Sequence, residues 1–109
     1  MTRVAVIGAG AWGSALACVA RRAGNETILW ARDPALAAAI NESRENARYL
    51  PGIPLTDGVT ATTDLAMAAR DADLLLLAIP AQHLRAVTAS MTPRDGTPAA
   101  ICAKGIEMG

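Results

Sequence analysis

The run Arg3-Val-Ala-Val-Ile-Gly-Ala-Gly-Ala-Trp-Gly13 decides how this chain folds. Val4 to Ile7 are β-branched or small, and they stop abruptly at glycine. That is the pattern of a strand buried on both faces of a parallel sheet. From Trp12 onward Leu16, Val19, Ala20 and Ala23 recur at helical spacing. Arg21 and Arg22 suit the negative end of that helix, and Gly24 suits a left-handed cap behind it.

Working outward, Thr27 to Trp30 reads as a second strand. Asp33-Pro34 then signals a helix start, the Asp capping free N–H groups and the Pro standing where its missing N–H does no harm. This helix is expected to run to about Arg44. Tyr49-Leu-Pro-Gly-Ile-Pro54 holds two prolines and a glycine and reads as a loop, leading to a short third strand at Val59 to Ala61. Thr63 or Asp64 caps a short alanine-rich helix. Asp73 precedes Leu74-Leu-Leu-Leu-Ala-Ile79, apolar enough for the centre of a sheet, and Pro80 opens a helix through Leu84, Val87 and Met91. Pro98 to Ala103 resembles a fifth strand. Strand and helix alternate throughout, so the expected architecture is α/β, a doubly wound parallel sheet with right-handed crossovers. Residues 1–109 form one domain without repeat or linker, and the chain stops shortly after the fifth strand with no closing helix. A longer parent protein is the natural expectation.

Composition agrees. The chain has 109 residues, 52% hydrophobic and 18% charged, with a mean hydropathy of +0.28, which is ample for one packed core. Ten basic residues balance ten acidic ones, so no long-range field gathers a nucleic acid or an anionic membrane. Trp12, Trp30 and Tyr49 are the only aromatics, and alanine is the commonest residue, so core volume must come from small side chains packed at close range. Cys18 and Cys102 have no metal-ligand spacing and read as small buried hydrophobes in a reducing compartment. The longest apolar run is far short of the roughly 20 residues that span a bilayer. The reading is of a cytoplasmic protein without a signal peptide.

Gly8-Ala-Gly-Ala-Trp-Gly13 matches G-x-G-x-x-G, and its place between a buried strand and a helix gives the string its weight. Such a sequence is the fingerprint of dinucleotide binding. Gly8 permits the tight turn, Gly10 lets the backbone approach a pyrophosphate, and Gly13 lets the helix sit close to the strand. N–H groups at the helix start then bind the anion. At the end of the second strand an acidic residue would accept from the ribose 2′-OH of NAD, whereas an arginine would accommodate the 2′-phosphate of NADP. Arg32 and Asp33 both lie there. Asp33 is already explained as a helix cap, whereas the competing reading of Arg32, a solvated cation at the strand end, is weaker, so the lean is toward NADPH through Arg32.

Gly8 to Gly13, Trp30-Ala-Arg-Asp33, Asn46-Ala-Arg-Tyr-Leu-Pro-Gly-Ile53, Ile79-Pro-Ala-Gln-His-Leu-Arg85 and Ala103-Lys-Gly-Ile-Glu107 occur in this order. Together they resemble the N-terminal half of the bacterial NAD(P)-dependent glycerol-3-phosphate dehydrogenases. The resemblance implies cofactor contacts at Ala11, Trp12, Arg32, Asp33 and Tyr49, and a Lys104 that touches both the nicotinamide end and the glycerol phosphate. It implies hydride transfer between NAD(P)H and dihydroxyacetone phosphate, giving sn-glycerol 3-phosphate for phospholipid synthesis, and a homodimer at full length. Ala11 and Ala81 depart from the family by lacking a hydroxyl where Ser is common, although the backbone N–H at position 11 is kept.

His83, the sole histidine, has no identifiable carboxylate partner and reads as a partly exposed helix residue rather than an acid or base. Glu107 orients Lys104 or closes a turn. The resemblance also implies that the catalytic lysine and most phosphate-binding groups belong to a C-terminal helical domain that these residues do not include. No catalytic residue is therefore assigned here, and the isolated chain is expected to bind cofactor without turnover. Two other readings stay open: the cofactor domain of a hydroxyacid, hydroxyacyl-CoA or nucleotide-sugar dehydrogenase, and a non-catalytic nucleotide-binding module.

Overall fold

A computed structural model describes residues 2–91 and 93–102, so Ala103, Lys104 and Glu107 lie outside the described residues. Five parallel strands form one sheet: β1 (Arg3–Ile7), β2 (Glu26–Trp30), β3 (Thr60–Thr62), β4 (Leu74–Leu77) and β5 (Ala99–Ile101), in the order β3-β2-β1-β4-β5. Between them run α1 (Ala11–Arg22), α2 (Pro34–Ser43), α3 (Leu65–Asp71) and α4 (Ala81–Ser90). The doubly wound α/β expectation is met.

Alternation along the strands sorts the core into two layers. Val4 and Val6 of β1 pack with Ala17, Cys18 and Ala20 of α1 and with Leu36, Ala37 and Ile40 of α2. Ala5 and Ile7 turn to the other face, against Ala68 and Ala69 of α3 and Val87 of α4. Small residues do most of the helix packing, as the composition requires. Ile7 pairs with both Trp30 and Leu77, while Trp30 pairs with Thr62 and Leu77 with Ile101. The five strands therefore end flush, and the order of the sheet reverses between β1 and β4. Open α/β sheets bind ligands at such a reversal.

Local signals placed most ends correctly. Gly24 has φ 94°, its N–H donates to the Arg21 carbonyl at 3.0 Å and the Asn25 N–H donates to that of Ala20 at 3.3 Å. This pair of bonds is a Schellman ending. Asp33 caps α2 by accepting from the Ala35 N–H at 2.9 Å, and Asp64 rather than Thr63 caps α3 through the Met67 N–H at 3.0 Å.

Several expectations need correction. Val19 faces solvent, because α1 buries Gly13, Ser14, Ala17, Cys18 and Ala20 instead. The third strand starts one residue late: Val59 is still in the turn at Gly58, its N–H donating to the Thr56 carbonyl at 3.2 Å. Strand β4 stops at Leu77, since β1 turns away at Gly8 (φ 122°) and offers no ladder partner beyond the Ile7 carbonyl, which accepts from Ala78 at 2.9 Å. Cys18 is buried, but Cys102 is only partly so, because it follows an edge strand whose three residues are all exposed.

At the amino ends of the central strands β1 and β4, Asp73 ties the two together. One carboxylate oxygen accepts from the Arg3 backbone N–H at 2.8 Å and the other from the Arg94 guanidinium at 2.9 Å. The Arg3 amide first, and Arg94 next, hold this carboxyl below its ordinary value of 3.8. A depressed carboxylate stabilises the fold above its unfolded value, and that contribution disappears as pH falls through the folded value. Asp73→Asn should therefore lower the Tm at pH 7 and flatten the acid-side fall in Tm below about pH 4. Thermal melts across pH test this; parallel curves for the two proteins would show that Asp73 has no such linkage.

Candidate dinucleotide site

The three glycines of the first turn differ in what surrounds them. A methyl group on Gly8 would strike the Ala78 carbonyl, at a φ that disfavours side chains in any case. One on Gly13 would strike the Gly8 carbonyl oxygen. Both are glycine because the chain crosses itself closely there. Gly10 has an ordinary extended backbone, φ −74°, and a methyl on it would meet nothing within 4 Å. Neither backbone strain nor packing requires glycine at that point.

Gly10 is also the N-cap of α1. It provides no side-chain cap, and the first turn carries no acidic residue to compensate the positive end of the helix. Beside it opens a cavity of about 360 Å³ at the carboxyl ends of β1, β2 and β4. Gly8, Gly10, Arg32, Asp33 and Tyr49, five of the residues singled out in the sequence, line it, with Trp30 from β2 and Leu36 from α2. Ile79, Pro80 and His83 close the far wall. Ala11, Trp12 and Gly13 do not line this cavity; they form the first turn of α1 next to it, Trp12 being 38% exposed. Lys104 lies outside the described residues.

Asp33 does more than cap α2. Its second oxygen accepts from the Arg48 guanidinium at 2.9 Å. Arg48 and then the Ala35 amide hold its carboxyl below the usual carboxylate value. Arg32 is exposed at the rim, and no hydrogen bond or ion pair engages it among the described residues. Trp30 is fixed in the wall by donating from its indole nitrogen to the Thr63 carbonyl at 3.1 Å.

The residue that sequence reasoning missed is Asn46. Fully buried, its side-chain amide donates to the Ala9 carbonyl at 2.7 Å and to Ser14 Oγ at 2.8 Å, while its Oδ1 accepts from the Tyr49 N–H at 3.2 Å. One side chain thus ties the Tyr-Leu-Pro-Gly loop to the glycine turn. The loop closes on itself through Gly52 N–H to the Glu45 carboxylate at 2.9 Å and Leu55 N–H to the Arg44 carbonyl at 2.8 Å. Asn46→Ala leaves buried partners without a bond, and it should cost about 1–3 kcal/mol. Gly13→Ala, forcing a methyl into a backbone carbonyl, should cost a similar 1–3 kcal/mol or more. Urea titrations of both variants check this; a loss below about 0.5 kcal/mol for Asn46→Ala would show that the clasp contributes little.

Sheet order, flush strand ends and a glycine turn feeding a helix at the reversal point give this chain the Rossmann architecture of dinucleotide-binding domains. The sequence profile described as NAD-dependent glycerol-3-phosphate dehydrogenase N-terminus matches residues 3–109, and the chain belongs to that family. It is 54% identical over 110 residues to the glycerol-3-phosphate dehydrogenase [NAD(P)+] of Paramagnetospirillum magneticum, covering 99% of this chain and 40% of that protein. The like-named protein of a Bradyrhizobium species is 58% identical over 106 residues, covering 95% and 32%. Among solved structures, the glycerol-3-phosphate dehydrogenase of Plasmodium falciparum superposes with a TM-score of 0.82 at 33% identity, covering 92% of this chain and 31% of that one. The chain thus spans 31% to 40% of the length of these relatives. No helix among the described residues is long and apolar enough to cross a membrane.

Proposed function

We propose that this chain binds NAD(P)H at the carboxyl edge of its sheet, as the cofactor-binding part of a glycerol-3-phosphate dehydrogenase. The observation that carries the reading is Gly10: a glycine that neither φ nor packing demands, at an uncapped helix start, beside a cavity. A site for a close-approaching anion requires that combination. The names and similarity of the relatives supply the substrate class.

In this reading Gly10 admits the pyrophosphate, and backbone N–H groups of Ala11, Trp12 and Gly13 bind it. Arg32 favours the 2′-phosphate, and hence NADPH over NADH. Asp33 and Tyr49 bound the adenosine end. Lys104 serves the nicotinamide end and the phosphate of the substrate. The bound cofactor supplies the hydride that reduces the carbonyl of dihydroxyacetone phosphate. This chain's own residues bind and orient, and a C-terminal helical domain of the longer protein supplies the proton and the remaining cationic groups. That division of labour leaves the isolated chain competent to bind but not to turn over, since positioning and proton supply account for much of the barrier lowering. A cytoplasmic setting and a homodimer at full length complete the proposal.

Gly10→Val tests the site. The valine has open space and an ordinary backbone, so the melting temperature should stay close to that of the wild type while NADPH affinity falls at least about tenfold. Calorimetric titration of both proteins reads this. Unchanged affinity in a folded variant would refute the site.

A further inference from the structure

Among the described residues, Arg48 is the one charged residue lining the cavity to which neither the glycine turn nor the end of β2 gives a role. It stands on the loop that Asn46 clamps to the glycine turn. Its guanidinium donates to Asp33 Oδ2 at 2.9 Å and lies 5.9 Å from the centroid of the Tyr49 ring. Asp33 Oδ1 is meanwhile committed to the Ala35 N–H. Both oxygens of the acidic residue at the end of β2 are therefore engaged by the chain itself. Among the described residues the charged ones lining the cavity are Arg32, Asp33 and Arg48, an excess of one positive charge.

This arrangement bears on which nucleotide fits. A free carboxylate at the end of β2 would accept from a ribose 2′-OH and repel a 2′-phosphate. Arg48 removes that repulsion by balancing the carboxylate, and it adds a second fork of N–H donors beside Arg32. A planar guanidinium suits a phosphate better than a point charge does. The plainer account is an exposed ion pair that tacks the loop to the start of α2, and such pairs contribute little on their own. That account predicts equal effects on every nucleotide.

We propose that Arg48 is a specificity-determining residue: by covering Asp33 and sharing the rim with Arg32, it makes this cavity select a nucleotide carrying a ribose 2′-phosphate. The proposal rests on the reading of the cavity as the adenosine end of a dinucleotide site. Cofactor choice is then set by three residues from two segments of the chain, not by Arg32 alone.

The test uses the whole chain and two pairs of ligands, NADPH with NADH and adenosine 2′,5′-bisphosphate with AMP. Arg48→Ala should weaken the phosphorylated member of each pair roughly three- to tenfold more than its partner, with a shallower salt dependence for the phosphorylated ligand. Arg48→Lys should keep part of the discrimination, because the charge that balances Asp33 survives while the planar fork of donors is lost. Asp33→Asn, placed on top of Arg48→Ala, should restore part of the lost affinity for the 2′-phosphate, because the exposed carboxylate is gone while the helix cap can still accept. Equal losses for both members of each pair would overturn the role of Arg48 and leave the site standing. Failure of the wild-type chain to bind either dinucleotide would overturn the site itself, and this inference with it.

Discussion

The Gly8 carbonyl, the α-carbon of Gly13 and the Ala78 backbone meet so closely that no side chain fits among them. This crossing fixes where β1 ends, how steeply α1 leaves it, and how near β4 stands to both. Close packing of this kind tolerates no added methylene without a shift of backbone. Because Gly8 and Gly13 hold the crossing, Gly10 is left at its apex with space in front of it. The opening beside the helix start is a consequence of the crossing, not an independent feature.

A second constraint carries the rest of the site. Asn46 bonds to Ala9 and Ser14, so the loop after α2 is attached to the same crossing from the other side. Tyr49 and Arg48 thereby come to the cavity from a segment that the sheet does not hold. The ion pair of Arg48 with Asp33 then joins that loop to the start of α2. Two short-range bonds to a buried amide thus position charges that otherwise belong to a solvated loop.

The parts of this fold that were legible in the sequence are those whose cause is local. Val4 to Ile7, Leu74 to Leu77 and the caps at Asp33 and Gly24 announce themselves by apolar runs, a proline or a positive-φ glycine, and the structure places them accordingly. Boundaries set by neighbouring strands were less visible. The start of β3 depends on a turn at Gly58, and the end of β4 on where β1 departs. Asn46 and Arg48 were not legible as site residues. Asn46 sits in a polar stretch, and the two partners to which its side-chain amide donates lie 32 and 37 positions away, a distance at which periodicity carries no information. The proximity of Asn46 to the Tyr-Leu-Pro-Gly string was the only available signal. His83 is an exposed residue of α4, in line with its sequence, and its place in the cavity lining comes from the fold.

The central claim is that the uncapped start of α1, with Gly10 at its tip, receives the anionic centre of a dinucleotide. Backbone amide NMR of the labelled chain, titrated with NADPH, addresses it residue by residue. The account predicts the largest shifts at the N–H groups of Gly10 to Gly13, followed by Arg32, Arg48 and Tyr49, with Arg3, Glu26 and Asp71 at the other end of the sheet unmoved. Shifts concentrated at that opposite end, or none at Gly10 to Gly13 under saturating cofactor, would contradict it.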